Sequence, residues 1–342
     1  MRYASIVLII WSNDTIGGVS MKFSKWKKAL LAGLAVVAMA AVLTGCGGGD
    51  NTAEKKFLNI GTGGTAGTYY PIGGAMAEVL NKDIPGMNAS AQSTGASVAN
   101  INMLKDGSVD LAIVQNDITY YAVNGTEMFK DKKVESLKGI ATLYPETCQA
   151  VTLDSSGIKT IADLKGKKVA VGAAGSGVEA NARQILEAYG VTYNDIQPQY
   201  LSFAEAANAL KDGNIDAAFL TAGYPTSAVQ DIASQHKVRL LPVDADKADA
   251  LIAKYPFYTK TVIPAGTYAG FDEEVPAVSV MAMLVANDKV DDSLGYAIAK
   301  AIFGNLDRIH AAHSAAKAIL KEKALEGMPL PVNAGAEKFF KE

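Results

Sequence analysis

Ile60-Gly61-Thr62-Gly63-Gly64-Thr65-Ala66-Gly67-Thr68-Tyr69-Tyr70-Pro71 is the stretch on which the fold turns. It follows a short apolar run, Phe57 to Ile60, and opens onto Ile72 to Leu80, where apolar residues recur at helical spacing. Pro71 suits the first position of that helix. The stretch therefore reads as strand, glycine turn and helix N-terminus. Glycine lacks the Cβ that would block a ligand, and the first helical turn leaves its N–H groups unpaired, so an anionic or carbonyl-rich group suits such a turn.

The same plan recurs further on. Asn102-Met103-Leu104-Lys105-Asp106-Gly107-Ser108-Val109-Asp110-Leu111-Ala112 aligns with Asn208-Ala209-Leu210-Lys211-Asp212-Gly213-Asn214-Ile215-Asp216-Ala217-Ala218. Each copy reads as a helix end, a glycine C-cap and a buried strand. Upstream of the second copy, Lys168 to Val171 runs into Gly172-Ala173-Ala174-Gly175-Ser176-Gly177 and a helix from Val178 to Tyr189 stopped by Gly190. After the opening loop and helix, Asn88 to Thr94 reads as a strand, Val98 to Leu104 as a helix and Val109 to Val114 as a buried strand. Strands alternating with helices predict an α/β fold with a parallel sheet covered on both faces. Two such lobes, 57–147 and 148–287, are joined through Gly139 to Thr147, with a cleft between their strand tips and a hinge at the crossovers. A strand, Val278 to Val285, and a long helix, Asp292 to His310, are expected to lead back, with 288–342 packing on the first lobe.

The chain has 342 residues, 49% of them hydrophobic, enough for a large core. Its 32 Lys+Arg against 35 Asp+Glu give no strong field, so nucleic acid is not an expected partner. Charge is informative only locally. Lys22, Lys25, Lys27 and Lys28 precede an apolar run, Ala29 to Val42, too short for a comfortable membrane span and suited to a signal-peptide core. The run ends in Leu43-Thr44-Gly45-Cys46, which resembles a bacterial lipobox. Residues 21–45 are thus expected to be a signal peptide and Cys46 a lipidated residue at the head of a flexible linker, 46–56. Met21 is the expected start, leaving 1–20 as an upstream artefact. Cys148 then has no partner, and its expected role is packing.

Gly61-Thr62-Gly63-Gly64-Thr65-Ala66 meets a loose G-x-G-x-x-A fingerprint, but Thr68 to Pro71 delays the helix that a dinucleotide site needs at its glycines. Neither glycine loop continues into Gly-Lys-Ser/Thr, which excludes a P-loop. Gly175-Ser176-Gly177 lacks the spacing of a nucleophile elbow, and His236, His310 and His313 lie far from the loops. No catalytic residue, metal or cofactor is expected. What remains is a binding cleft in which Tyr69, Tyr70 and Tyr224 form walls, while Ser97, Gln115, Thr221 and Ser176 orient a small polar ligand. Arg183 is the only arginine near either glycine loop, more than a turn into its helix.

Gly61 to Pro71, Asp110-Leu111-Ala112-Ile113-Val114-Gln115-Asn116-Asp117, Leu143-Tyr144-Pro145-Glu146, Asp163-Leu164-Lys165-Gly166-Lys167-Lys168-Val169 and Gly175-Ser176-Gly177 together resemble the TAXI family. These are the extracytoplasmic solute receptors of tripartite ATP-independent periplasmic (TRAP) transporters. Met328 to Ala336 resembles that family's C-terminal Pro-Leu-His-Pro-Gly-Ala pattern, from which Val332-Asn333-Ala334 departs. The resemblance implies a two-lobed periplasmic-binding-protein-like fold of type II and no catalysis. It also implies a small carboxylate or amino-acid ligand such as glutamate, glutamine or 2-oxoglutarate, and an integral-membrane TRAP permease as partner. By position it carries ligand contacts onto Thr62, Gly63, Thr65, Tyr69, Tyr70, Ser97, Val98 and Gln115 in the first lobe. In the second lobe they fall on Gly175, Ser176, Gly177, Val178, Thr221, Ala222, Gly223 and Tyr224. The expected protein is an extracytoplasmic monomer, in the periplasm or on the outer face of the cell membrane, anchored by lipid at Cys46. A sensory subunit of a membrane signalling system and an extracytoplasmic enzyme using Ser176 are the alternatives.

Overall fold

The computed structural model describes residues 56–342. The leader, the lipobox at Cys46 and the linker up to residue 55 lie outside the described residues. No described helix is long and apolar enough to cross a membrane.

The opening stretch gives β1 (Lys56–Gly61) and α1 (Tyr69–Asp83). The helix begins at Tyr69, two residues before Pro71. A first-turn N–H has no intrahelical acceptor, so proline costs nothing there either. Then come β2 (Met87–Gln92), α2 (Ser97–Asp106), β3 (Leu111–Gln115) and α3 (Asn116–Asn124). Gly107 ends α2 with φ 77°, the left-handed cap expected of it. A single 16-residue strand, β4 (Lys138–Leu153), carries the chain into the second lobe.

That lobe repeats the order with β5 (Lys168–Ala170), α4 (Gly177–Ala188), β6 (Gln197–Gln199), α5 (Phe203–Lys211) and β7 (Ala217–Ala222). It continues through α6 (Ser227–Ala233), β8 (Val238–Leu241), α7 (Ala245–Lys254) and β9 (Thr259–Ile263). The long strand β10 (Val275–Ala286) returns to the first lobe. The single helix expected from Asp292 to His310 is instead two, α8 (Asp292–Gly304) and α9 (Leu306–Ala312). The break falls at Asn305, whose amide donates to the Ala301 carbonyl at 2.8 Å and to Asp83 at 2.6 Å. The chain closes with α10 (Ala334–Lys341), capped by Asn333, whose Oδ1 accepts the Gly335 and Ala336 N–H groups.

Strand order makes the repeat visible. In the first lobe it runs β2-β1-β3-β10 and in the second β6-β5-β7-β4, with the β1 and β5 pairings parallel and the last pairing in each antiparallel. The aligned aspartates do the same work in each copy. Asp110 accepts the Asn59 N–H at 2.9 Å, and Asp216 accepts the Lys168 N–H at 2.8 Å, fastening β3 and β7 to the opening strands. Contrary to the expectation of one sheet per lobe, β10 and β4 pair with each other, so the two halves form one mixed, curled sheet. The crossovers are long enough to serve both lobes, and their unpaired edges would otherwise be exposed.

The core follows this plan. One apolar cluster is continuous across the halves, with Ile101, Val114 and Ile118 packed in the same body as Val171, Ile185 and Phe219. A second cluster belongs to α1, α8 and α9 over the first lobe, and a third to α5 and α6 over the second. Cys148 is buried in the shared cluster as a packing residue.

Candidate functional site

Glycine loops and strand tips from both lobes meet around a cavity of about 580 Å³, its mouth included. Hydrogen bonds between the lobes close it. Thr68 Oγ1 donates to the Gly223 carbonyl at 3.1 Å, the Ala99 N–H to the Gly175 carbonyl at 3.0 Å, and the Ala228 N–H to the Ala66 carbonyl at 3.3 Å.

Of the residues expected from sequence, Gly63, Tyr69, Ser97 and Gln115 line the cavity from the first lobe. Ser176, Gly177, Val178, Thr221 and Ala222 line it from the second. Seven others stand off its wall. Thr62 is fully buried, and its hydroxyl donates to the Gln92 carbonyl at 2.7 Å. Thr65 is exposed, and so is Tyr70, because α1 begins at Tyr69 and successive helical residues point about 100° apart. Val98 packs against the shared core, and Gly175 presents its carbonyl to α2. Gly223 and Tyr224 line a separate groove with Pro225, Thr261 and Ser314. Arg183 faces outward to Glu127 at 3.2 Å.

The sequence reading missed the most acidic group in the wall. Glu146 lies on β4, is 1% exposed, and accepts the Tyr69 hydroxyl at 2.9 Å. Its position in an apolar strand, two residues after Tyr144, marks an unusual acid but not the side it faces. Burial pushes its pKa well up and the nearby Asp117 pushes the same way, while the Tyr69 and Gln115 side chains favour the charged form. Tyr69 is itself raised by burial and then by Glu146. Thr94, Ala96, Ser202 and Phe203 were also missed and line the cavity.

Behind the wall runs a buried polar relay. Gln115 Nε2 donates to Asn181 Oδ1 at 2.9 Å, and Asn181 Nδ2 donates to Asp117 Oδ2 at 3.0 Å and to the Tyr258 hydroxyl at 2.8 Å. Tyr258 in turn donates to Gln184 at 2.7 Å. Asp117 is pushed up to about 6 by burial, against the Ile118 N–H and Asn181 bonds that favour its charge.

The helix ends decide what the cavity offers. Ser176 caps α4 by accepting the Glu179 N–H, so it is a capping residue, and no histidine or acid among the described residues is hydrogen-bonded to it as a base. Ser202 and Glu205 form a capping box on α5. By contrast α2 has no side-chain cap. It begins from Ala96 at φ 68°, and the Ser97 and Val98 N–H groups have no acceptor among the described residues. Two backbone donors at a helix N-terminus beside the cavity suit an anion or carbonyl oxygen.

Comparisons with known proteins bear on the fold and the family. Over 203 residues the chain is 28% identical to the "Putative aliphatic sulfonates-binding protein" of Escherichia coli (strain K12), covering 59% of this chain and 58% of that relative's length. A solved structure described as that of a periplasmic transporter superposes with a TM-score of 0.52 at 13% identity, over 83% of this chain and 91% of the other, which shows the fold. The alkanesulfonate-binding protein SsuA from Xanthomonas axonopodis pv. citri gives a TM-score of 0.47 at 17% identity, over 84% of each chain. The fold is thus α/β and periplasmic-binding-protein-like, and since the model of the NMT1-like family matches residues 60–342, the chain belongs to the NMT1-like family.

Proposed function

We propose that this protein is an extracytoplasmic solute receptor that closes lobes 57–147 and 148–287 on a small carboxylate or amino acid and delivers it to an integral-membrane permease. The observation that carries the reading is the uncapped N-terminus of α2 beside an interlobe cavity, across from the side-chain-capped helices α4 and α5 of the second lobe. The anionic end of the ligand sits on the Ser97 and Val98 N–H groups, with Tyr69 and Phe203 as apolar wall. In the resemblance to TAXI receptors the ligands are glutamate, glutamine or 2-oxoglutarate and the permease is of TRAP type. Lipidation at Cys46 then tethers the receptor to the membrane carrying that permease.

Calorimetry and thermal shift with a panel of amino acids, dicarboxylates and alkanesulfonates test the reading. A carboxylate or amino acid should raise Tm and bind in a saturable 1:1 manner. If none binds the folded chain, the substrate class fails. A sulfonate is the second reading, favoured by the name of the Escherichia coli relative, since helix N-termini suit it equally. Copurification of integral-membrane subunits without an ATPase would support the TRAP partner; an ATPase among them would replace it with an ATP-driven importer.

A further inference from the structure

Glu146 is a buried acid in a cavity whose wall, among the described residues, carries no cationic side chain. No lysine, arginine or histidine is among the residues lining it. The titratable groups around Glu146 are Tyr69 from α1, Tyr144 and Cys148 on its own strand, and Asp117 from the start of α3. All are acids, and none supplies positive charge. Among the described residues, three buried side-chain polar atoms lack a hydrogen-bond partner. Two of them, Gln115 Oε1 and the Tyr144 hydroxyl, belong to neighbours of Glu146. The cleft wall thus gathers a carboxyl and an unpartnered amide oxygen with no positive charge to meet them, and the buried Tyr144 hydroxyl nearby is unpartnered as well. The opposite need is met at α2, where backbone donors lack acceptors.

We propose that Glu146 is the specificity-determining residue of this cleft, receiving the ammonium group of a zwitterionic ligand and releasing its own proton to solvent as the pair forms. This rests on the solute-receptor reading and narrows its ligand class to small acids that also carry a primary amine. The step is a proton exchange: the Glu146 O–H bond breaks, the proton leaves for the buffer, and an N–H of the ligand donates to the resulting carboxylate. The Tyr69 hydroxyl remains on Glu146 Oε2 throughout, holding the carboxyl toward the ligand. A ligand of the same shape without the amine leaves the Glu146 proton in place. Burial sets the starting state, because a desolvated carboxyl without a cation favours its neutral form. The incoming ammonium reverses that preference, as charge-assisted bonds in a low-dielectric site are strong.

Isothermal titration of the folded chain with two matched pairs tests this: L-glutamate against glutarate, and taurine against ethanesulfonate. Each is measured between pH 5 and 8 in buffers of different ionisation enthalpy. The amine-bearing member of the binding pair should bind about tenfold or more tightly than its counterpart. It should release up to about one proton, against none for the counterpart. Glu146→Gln keeps an acceptor for Tyr69 and should abolish the release and narrow the gap within the pair to about threefold or less. Tyr69→Phe, which loosens the carboxyl without removing it, should shift the pH profile of amine binding while keeping proton release. Equal affinities within the pair, or proton release unchanged in Glu146→Gln, overturn the assignment while leaving the receptor function standing. If no member of either pair binds the wild-type chain, the receptor reading for acids fails and the assignment falls with it.

Discussion

Helices α2 and α5 occupy the same place in the two copies of the repeat, and they differ at the end that matters. Both stop at a Lys-Asp-Gly sequence and lead to a strand fastened by an aspartate. At its start, α5 is closed by Ser202 and Glu205, whereas α2 starts from Ala96 in a left-handed conformation and keeps its donors free. The pair α1 and α4 shows the same difference. Ser176 caps α4, while Thr68, at the matching position before α1, turns its hydroxyl across the cleft to Gly223. In both pairs the helix of the second lobe carries a side-chain cap and its counterpart in the first lobe does not. Under the proposed function these unequal caps correspond to unequal roles, the first lobe holding the polar end of the ligand and the second supplying the wall that shuts on it.

That division breaks most severely where the lobes touch. A Cβ at Gly177 would collide with Gln115 Oε1, and one at Gly223 would collide with Ala315. Gly177→Ala should destabilise the chain by about 1–3 kcal/mol, because the Gln115 amide, which donates to Asn181, and the Ile118 side chain would both have to shift. Gly223→Ala should keep the closed lobes apart and weaken the ligand by about tenfold or more. Gly74→Ala, in α1 with open space at its Cβ, is the control and should stabilise by about 0.5–1 kcal/mol. Chemical denaturation gives the stabilities, and titration calorimetry with small-angle scattering gives affinity and closure. Unchanged affinity in Gly223→Ala would show that closure at this point is not required.

The relay behind the cavity gives the next largest effect. Asp117 belongs to the first lobe and Asn181 to the second, so their bond couples the halves. Its folded pKa, pushed up to about 6, lies above the ordinary carboxylate value near 3.8. The sign follows: its favourable contribution is complete below about pH 4 and is lost as pH rises through about 6. A shift of this size corresponds to about 3 kcal/mol at most. The stability of the wild type should therefore fall over that interval by more than that of Asp117→Asn, for which this component should be flat. Parallel pH curves for the two proteins would refute the burial-raised pKa of Asp117.

Legibility in the sequence followed the range of the forces involved. Gly107 and Gly213 as helix stops, Asp110 and Asp216 as strand fasteners, and the alternation of strand and helix are local features, written in neighbouring residues. The single curled sheet was not legible, because the pairing of β4 with β10 joins residues more than a hundred positions apart. The cavity was read in part. Tyr69 and Tyr70 are indistinguishable as letters, and only the starting residue of α1 decides which one turns inward. Thr62 looked like a ligand hydroxyl and is engaged with Gln92 instead. Glu146 was hidden for the opposite reason: inside an apolar strand nothing local distinguishes an acid facing a cavity from one facing solvent.

The smallest effects sharpen the comparison of α2 with α5, because matched substitutions at their starts should act in opposite directions. Ser202→Ala removes the hydroxyl that accepts the Glu205 N–H and donates to its carboxylate, and should cost about 1 kcal/mol, the usual value of an N-cap. Ala96→Gly acts at φ 68° and ψ −148°, a region that only glycine occupies without strain. Relief of about 1–3 kcal/mol of strain outweighs the roughly 0.5–1 kcal/mol that glycine loses through the freedom of the unfolded chain. Ala96→Gly should therefore raise Tm by a few degrees, and Ser202→Ala should lower it by a similar amount. Ligand affinity separates the two helices further. In Ala96→Gly the relaxed turn no longer holds the Ser97 and Val98 N–H groups on the cavity, so affinity should fall even as stability rises. A rise in both would mean that the strained turn plays no part in holding the ligand.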